Sequence, residues 1–230
     1  MGISGGNRLR IFKDRREAGR ELAAALVGAR PEGDLIVLGL PRGGVPVAYE
    51  IAAALDAPLD VYLVRKLGAP FNPELAIGAV AMGGVVVYND DVLAGFNISE
   101  SELARIREGE ELELARRERV YRGAAAPLAL KGKTVILADD GIATGATMRA
   151  AVMAVQDAQP SKVIVASPTA SRQAVAVLER VADEVTVLEV PQYYMSVGSW
   201  YEQFPQLTDQ EVVDYLAMLQ QPASDESNRD

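Results

Sequence analysis

The 230-residue sequence contains no cysteine and no histidine. The first absence excludes disulfides and thiol nucleophiles. The second excludes imidazole acid–base chemistry and the commonest metal ligand. A metal held by these residues is therefore held by oxygen, which favours Mg²⁺. Tryptophan occurs once, and aromatics make up 6% of the chain. No apolar run approaches membrane-spanning length and the amino end has no apolar stretch of signal-peptide type, so the expectation is a soluble cytoplasmic protein with no membrane partner. Basic residues are the minority among the charges, 23 against 32 acidic, for a formal net charge of −9. That balance argues against broad nucleic-acid binding and leaves room for a local basic pocket that takes a polyanion.

Apolar residues are plentiful, at 49% of the chain, enough to bury a full core. Apolar-rich runs at 35–40, 59–64, 134–138, 162–166 and 185–190 read as strands, and helical patterns separate most of them. This alternation predicts an α/β fold, a doubly wound and mainly parallel sheet flanked by helices. Asp14 with Glu17, Ser171, and Thr208 with Glu211 mark helix starts. Residues 77–81 and 85–88, joined by Met82-Gly83-Gly84, read as a hairpin. Ser99 with Glu102 opens a charge-dense helix to about Arg122, with Glu113/Arg117 and Glu118/Arg122 at i, i+4. That helix is expected to be a solvated insertion on the core or a dimer element, and not a chemical site. The predicted organisation is one domain over 1–219, with a core at about 34–190, a helical insertion at about 97–123 and a small C-terminal hood at about 191–219. Residues 1–7 read as mobile and 220–230 as a disordered tail.

The stretch that organises the chain follows the run 134–138. Asp139 and Asp140 stand at the strand's carboxyl end, then Gly141 to Thr147 supply small residues and hydroxyls, and a helix begins at Met148. Such a loop cradles an anion: accessible backbone N–H groups point at it and the helix N-terminus adds partial positive charge. Acids beside it would repel a bare phosphate. They make sense if the ligand also carries vicinal hydroxyls or a divalent cation, as a sugar phosphate with a metal does. A second candidate anion site follows the first strand, in Pro41-Arg42-Gly43-Gly44-Val45-Pro46, where paired glycines permit unusual backbone and Arg offers a planar fork to phosphate oxygens. Taken alone it is also an ordinary Pro/Gly turn. Arg65-Lys66, read at the end of the run 59–64 and before Leu-Gly-Ala-Pro-Phe-Asn-Pro, suggests a basic loop able to move over a site.

Val135-Ile-Leu-Ala-Asp-Asp-Gly-Ile-Ala-Thr-Gly-Ala-Thr147 resembles the 5-phosphoribosyl-1-diphosphate (PRPP) motif of type I phosphoribosyltransferases. Gly39-Leu-Pro-Arg-Gly-Gly-Val-Pro-Val-Ala48 resembles the pyrophosphate loop of that family, in the form seen in xanthine and related purine enzymes. The resemblance covers roughly 34–205. It implies a transferase that moves 5-phosphoribosyl from Mg²⁺-PRPP to a nitrogenous base, purine-like by preference, in nucleotide salvage and as a homodimer or higher oligomer. It assigns Asp139 and Asp140 to the ribose hydroxyls and the metal, directly or through water. Gly141, Ala143, Thr144, Gly145, Ala146 and Thr147 go to the 5-phosphate. Arg42, Gly43, Gly44, Arg65 and Lys66 go to the diphosphate, with Arg42, Lys66 and the two acids catalytic.

The aromatic segment after the last strand is loosely similar to the one that stacks on the base in purine enzymes, which makes Tyr194, Trp200 and Tyr201 candidates. Packing alone also explains such a cluster. Two other classes stay open, a PRPP-binding regulator without turnover and a sugar-phosphate hydrolase. The regulator meets an acidic balance with no basic stripe, and the hydrolase lacks an activated nucleophile outside the two loops.

Overall fold

The computed structural model describes residues 10–29, 31–96 and 98–220. The expected mobile start at 1–7 and the tail from 221 lie outside the described residues. Five parallel strands form the main sheet: β1 (Leu35–Gly39), β2 (Leu59–Val61), β6 (Thr134–Ala138), β7 (Lys162–Thr169) and β8 (Glu184–Glu189). Their order across the sheet is β2-β1-β6-β7-β8. β6 is buried at every position, the mark of a central strand covered on both faces.

Helices α1 (Arg15–Ala29) and α2 (Gly44–Leu55) pack on each other and against β1, β6, β7 and β8. Asp14 caps α1 by accepting the Glu17 N–H at 2.8 Å, and Ala18, Leu22 and Leu26 turn its buried face to the core. Helix α5 (Ala146–Gln156) packs on β6 and β7. Right-handed crossovers from β1 to β2 and from β6 to β7 run in opposite directions along the sheet, which puts α2 and α5 on opposite faces. Helix α6 (Arg172–Leu178) is capped by Ser171, whose hydroxyl accepts from the Ala174 N–H.

The run 59–64 is not one strand. β2 stops at Val61 because its neighbour β1 ends at Gly39 and offers no further partner. The chain then crosses to a second sheet, in which β3 (Val64–Ala69), β4 (Asn72–Ala81) and β5 (Val85–Tyr88) are antiparallel. Arg65 and Lys66 thus lie within β3, opposite Val80 and Ala79, and not at the start of a mobile loop. The expected hairpin is there, β4 with β5, extended by β3 to three strands. This sheet lies on α5.

After the short α3 (Asp90–Ala94), α4 runs from Glu100 to Arg122, with Ser99 and Glu102 in a reciprocal capping box. It packs on β3 and β4 and on the terminal α7 (Asp209–Gln220), and only Leu114 and Tyr121 along it are buried. The Tyr121 hydroxyl donates to Asp209 at 2.6 Å. One hydrophobic core runs through both sheets and the α-helices, with Val92 and Leu93 of α3 packed against it. A smaller one joins Phe12, Ala18, Trp200 and Tyr201.

Candidate active site

β1 and β6 are neighbours, with Gly39 opposite Ala138, and the chain winds away from this pair in both directions. A crevice at such a switch point, beyond the carboxyl ends of the strands, is where open α/β sheets bind ligands. The loops after these two strands are the two read as anion sites, and they interlock. A Cβ on Gly43 would stand 1.9 Å from Asp140 Oδ2, and one on Gly44 would stand 2.5 Å from the Ala138 carbonyl oxygen. Gly43 has φ −64 and ψ −32, open to any residue. The glycines are thus required for close approach and not, as their pairing suggested, for unusual backbone. The Pro41–Arg42 peptide in the first of these loops is cis.

Asp140 is 8% exposed and accepts a hydrogen bond from Arg15 Nε at 2.7 Å. Arg15 is itself buried, donates to the Pro205 carbonyl at 2.8 Å and lies 3.8 Å from the centre of the Phe204 ring. The backbone carbonyl of Asp140 accepts from the Tyr201 hydroxyl. Asp140 therefore faces inward. Sequence reasoning missed Arg15, whose only signal was its place in a first helical turn. Asp139 is half-buried and accepts the Asp140 N–H at 2.8 Å. Burial, and then the adjacent Asp140, hold its carboxyl well above the usual range. Asp140 is also raised by burial, with Arg15 opposing the rise.

The loop after β6 is open. Ala143, Thr144, Ala146 and Thr147 are exposed, and Gly145, at φ +78, turns the chain into α5 in a left-handed conformation that favours glycine. Its start is pinned to the β7–α6 connection, where the Ile142 N–H donates to the Thr169 carbonyl at 2.9 Å and the Ser171 hydroxyl donates to the Ala143 carbonyl at 2.6 Å. The Ala146 N–H donates to Thr144 Oγ1 at 3.4 Å, and N–H groups at a helix start on a fixed frame suit a phosphate. A side chain on Gly141 would strike Val197 at 2.4 Å, which brings the hood against this loop.

The basic residues divide. Arg42 is 43% exposed along its side chain and lies 3.9 Å from Asp209. Arg65 lines a narrow crevice with Leu40, Pro41, Thr147 and Arg117, so it borders both loops. Adjacent residues of a strand face opposite sides. Lys66 is not among the residues lining that wall.

In the hood, Trp200 and Tyr201 are 5% and 6% exposed. Tyr201 stacks on Phe204 with ring centres 5.0 Å apart, and Trp200 lies against Tyr194 at 6.0 Å. Phe12 completes the cluster by pairing with Tyr201 in a parallel bridge, so the segment before α1 is part of the hood. These rings are committed to packing, and Trp200 and Tyr201 offer no open face to a base. Tyr193, 79% exposed, is the aromatic of this segment with free faces. The Tyr194 hydroxyl and Thr169 Oγ1 are buried without a hydrogen-bond partner. The former lies 3.0 Å from where a Cβ of Gly141 would be. Burial pushes the Tyr194 hydroxyl pKa up to about 12, with the neighbouring Thr169 hydroxyl opposing the rise.

Asp139 and Asp140 are hard oxygen donors of the kind Mg²⁺ prefers, but Asp140 is held by Arg15. Among the described residues no three acidic side chains gather into a metal site. The donor set fits a cation that brings oxygen ligands from its substrate, and Asp139, the acid not held by Arg15, would hold it. When bound, such a cation neutralises charge on a diphosphate. No helix among the described residues is long and apolar enough to cross a membrane.

The sequence pattern of the phosphoribosyl transferase domain matches residues 10–194, beginning well before the 34 expected from the motifs. Two curated proteins of Mycobacterium tuberculosis, named provisionally as phosphoribosyl transferases Rv0571c and MT0597, are 43% identical over 208 residues. The match takes in 90% of this chain and 47% of theirs, so the chain spans about half the length of these relatives. The crystal structure of TT1426 from Thermus thermophilus superposes with a TM-score of 0.83 at 45% identity, covering 91% of this chain and 99% of that one. The chain belongs to the phosphoribosyl transferase domain family, a family of transferases.

Proposed function

We propose that this chain transfers 5-phosphoribosyl from Mg²⁺-PRPP to a ring nitrogen of a flat nitrogenous base, purine-like by preference, with release of diphosphate. The observation that carries the reading is the fit of Gly43 and Gly44 against Asp139 and Asp140, which makes two anion loops into one site. In the reaction the base nitrogen forms a bond to C1 of the ribose, the C1–O bond to diphosphate breaks, and the base gives up its N–H proton to the departing diphosphate. Positive charge develops on the ribose ring while negative charge grows on the leaving group. The residues contribute placement and electrostatics, since the chain has no cysteine or histidine to act as a nucleophile or imidazole base.

The loop 143–147 takes the 5-phosphate on its N–H groups. Asp139 accepts from a ribose hydroxyl and shares the cation. Asp140, locked by Arg15, sets the position of Asp139 and of the Gly43 backbone. Arg42, the Gly43 and Gly44 backbone and Arg65 face the diphosphate. Tyr193 supplies an exposed ring for the base.

Incubation of Mg²⁺-PRPP with a panel of purine and pyrimidine bases, read by product mass, tests this. The expected product is a base carrying one ribose 5-phosphate, formed from a purine in preference to orotate or uracil. Binding of PRPP with no product from any base would replace transfer by the regulatory reading.

A further inference from the structure

We propose that Arg117, on the insertion helix α4, is a diphosphate-binding residue, and that it reaches the ligand by leaving a carboxylate which Arg116 then keeps. The inference rests on the proposed transfer reaction and adds to it a residue from an element expected to be chemically silent. Arg117 lines the crevice between the two anion loops, together with Pro41, Arg65 and Thr147. Helix α4 is brought there by Leu114, which is buried in the same wall, and by the pair Arg65–Glu110 at 2.6 Å. Nearby, Arg42 lies 3.9 Å from Asp209, the acceptor for Tyr121 of α4. In a chain of net charge −9, two arginines from separate elements, Arg65 of β3 and Arg117 of α4, line this crevice. Planar forks of this kind match phosphate oxygens.

The carboxylate of Glu113 is shared. Arg116 donates to both of its oxygens, at 2.8 and 3.0 Å, while Arg117 donates to one of them at 2.8 Å. Hydrogen bonds from these two arginines hold Glu113 at a pKa of about 2, so it stays ionised throughout the working range. If Arg117 turns into the crevice, Glu113 keeps its two-pronged contact with Arg116 and no carboxylate is left bare. A half-buried surface pair of this kind, its side chains 32% and 30% exposed, contributes modestly to stability, so giving it up costs little. A diphosphate offers several charged oxygens in its place. The helix then does two things: it covers the leaving-group side of the site, and it stores Arg117 on a partner that can release it.

The test is calorimetric titration of the full chain with Mg²⁺-diphosphate and, separately, with ribose 5-phosphate. Arg117→Gln should weaken diphosphate binding on the order of ten- to a hundred-fold, the loss of a charge-assisted contact, with ribose 5-phosphate affinity within about twofold. Arg117→Lys should restore part of the loss. Arg116→Gln should weaken diphosphate, because Glu113 would then retain Arg117, and Glu113→Gln should strengthen it. Thermal unfolding of each variant identifies any that fails to fold. Unchanged diphosphate affinity in folded Arg117→Gln, with wild-type protein binding both ligands, overturns the proposal. Wild-type protein that binds neither ligand overturns the transfer reading itself.

Discussion

Arg15 and Asp140, 125 residues apart in the chain, form a buried ion pair with Nε 2.7 Å from Oδ2. It fastens the N-terminal helix and the hood to the acid that shapes the crevice. Removing one partner of a buried pair leaves the other charge without compensation, a loss of about 3–5 kcal/mol. Arg15→Met should lower the urea midpoint by a corresponding amount, and Arg15→Met with Asp140→Asn should recover much of it. The loss in Arg15→Met should shrink on acidification towards the ordinary carboxylate range, because a protonated Asp140 needs no cation. A double variant no more stable than Arg15→Met at neutral pH would show that the pair is not what holds these elements.

Asp139 should trade stability for ligand binding. Its folded-state pKa lies above the unfolded value of about 3.9. A raised carboxyl pKa means that the folded protein binds the proton more tightly. The cost of ionising it is absent below the unfolded pKa and complete once pH exceeds the folded one. Asp139→Asn should therefore raise stability at neutral pH, on the order of 1–3 kcal/mol, with the gain vanishing below about pH 4. Denaturation curves across that range check the sign. A variant less stable than wild type at pH 7 would contradict the assignment.

Glycines in the crevice and on the surface should respond in opposite directions. Gly43→Ala places a methyl group onto Asp140 and should cost about 1–3 kcal/mol by overpacking, with loss of PRPP binding. A methyl group on Gly109, within α4, would meet nothing within 4 Å. Gly109→Ala should stabilise the protein by about 0.5–1 kcal/mol through helix propensity. Thermal unfolding of the two single variants decides; similar shifts would remove the steric reading of Gly43.

The two hood aromatics should separate by role. Trp200 is buried and is the only tryptophan, so its emission reports the packing of the hood. Emission should shift to the red on unfolding, and purine added to protein loaded with Mg²⁺ and an unreactive PRPP analogue should leave its position unchanged. Tyr193→Ala, at an exposed position, should raise the KM for the base on the order of tenfold, the loss of about 1 kcal/mol of stacking plus the apolar contact under the ring. A red or blue shift of Trp200 with base, and normal kinetics in Tyr193→Ala, would return the base to Trp200.

The sequence was most informative where chemistry and backbone are local. Residues 134–138 appear as the central strand, and Ser99, Ser171 and Thr208 act as caps, because alternation, β-branched runs and capping side chains are set within a few residues. The two loops after β1 and β6 were legible for the same reason. What could not be read depends on contacts distant in sequence. Arg15 meets Asp140 only after the whole sheet has formed, and nothing beside Arg15 announces the partner. Arg65 and Lys66 read as the end of one strand. They became part of another because β1 is too short to pair beyond Val61 and β4 supplies the alternative. Tryptophan and tyrosine in the hood have the composition of a stacking platform, and only packing shows that Phe12, Tyr194 and Phe204 already occupy their faces.

The central claim, that the loops after β1 and β6 form one PRPP site, is tested most directly by calorimetric titration of Mg²⁺-PRPP into wild-type protein and into Asp139→Asn. Saturable binding to the wild type is expected, weakened on the order of tenfold or more in the variant by loss of a charged acceptor. Equal affinity in the two proteins would contradict it.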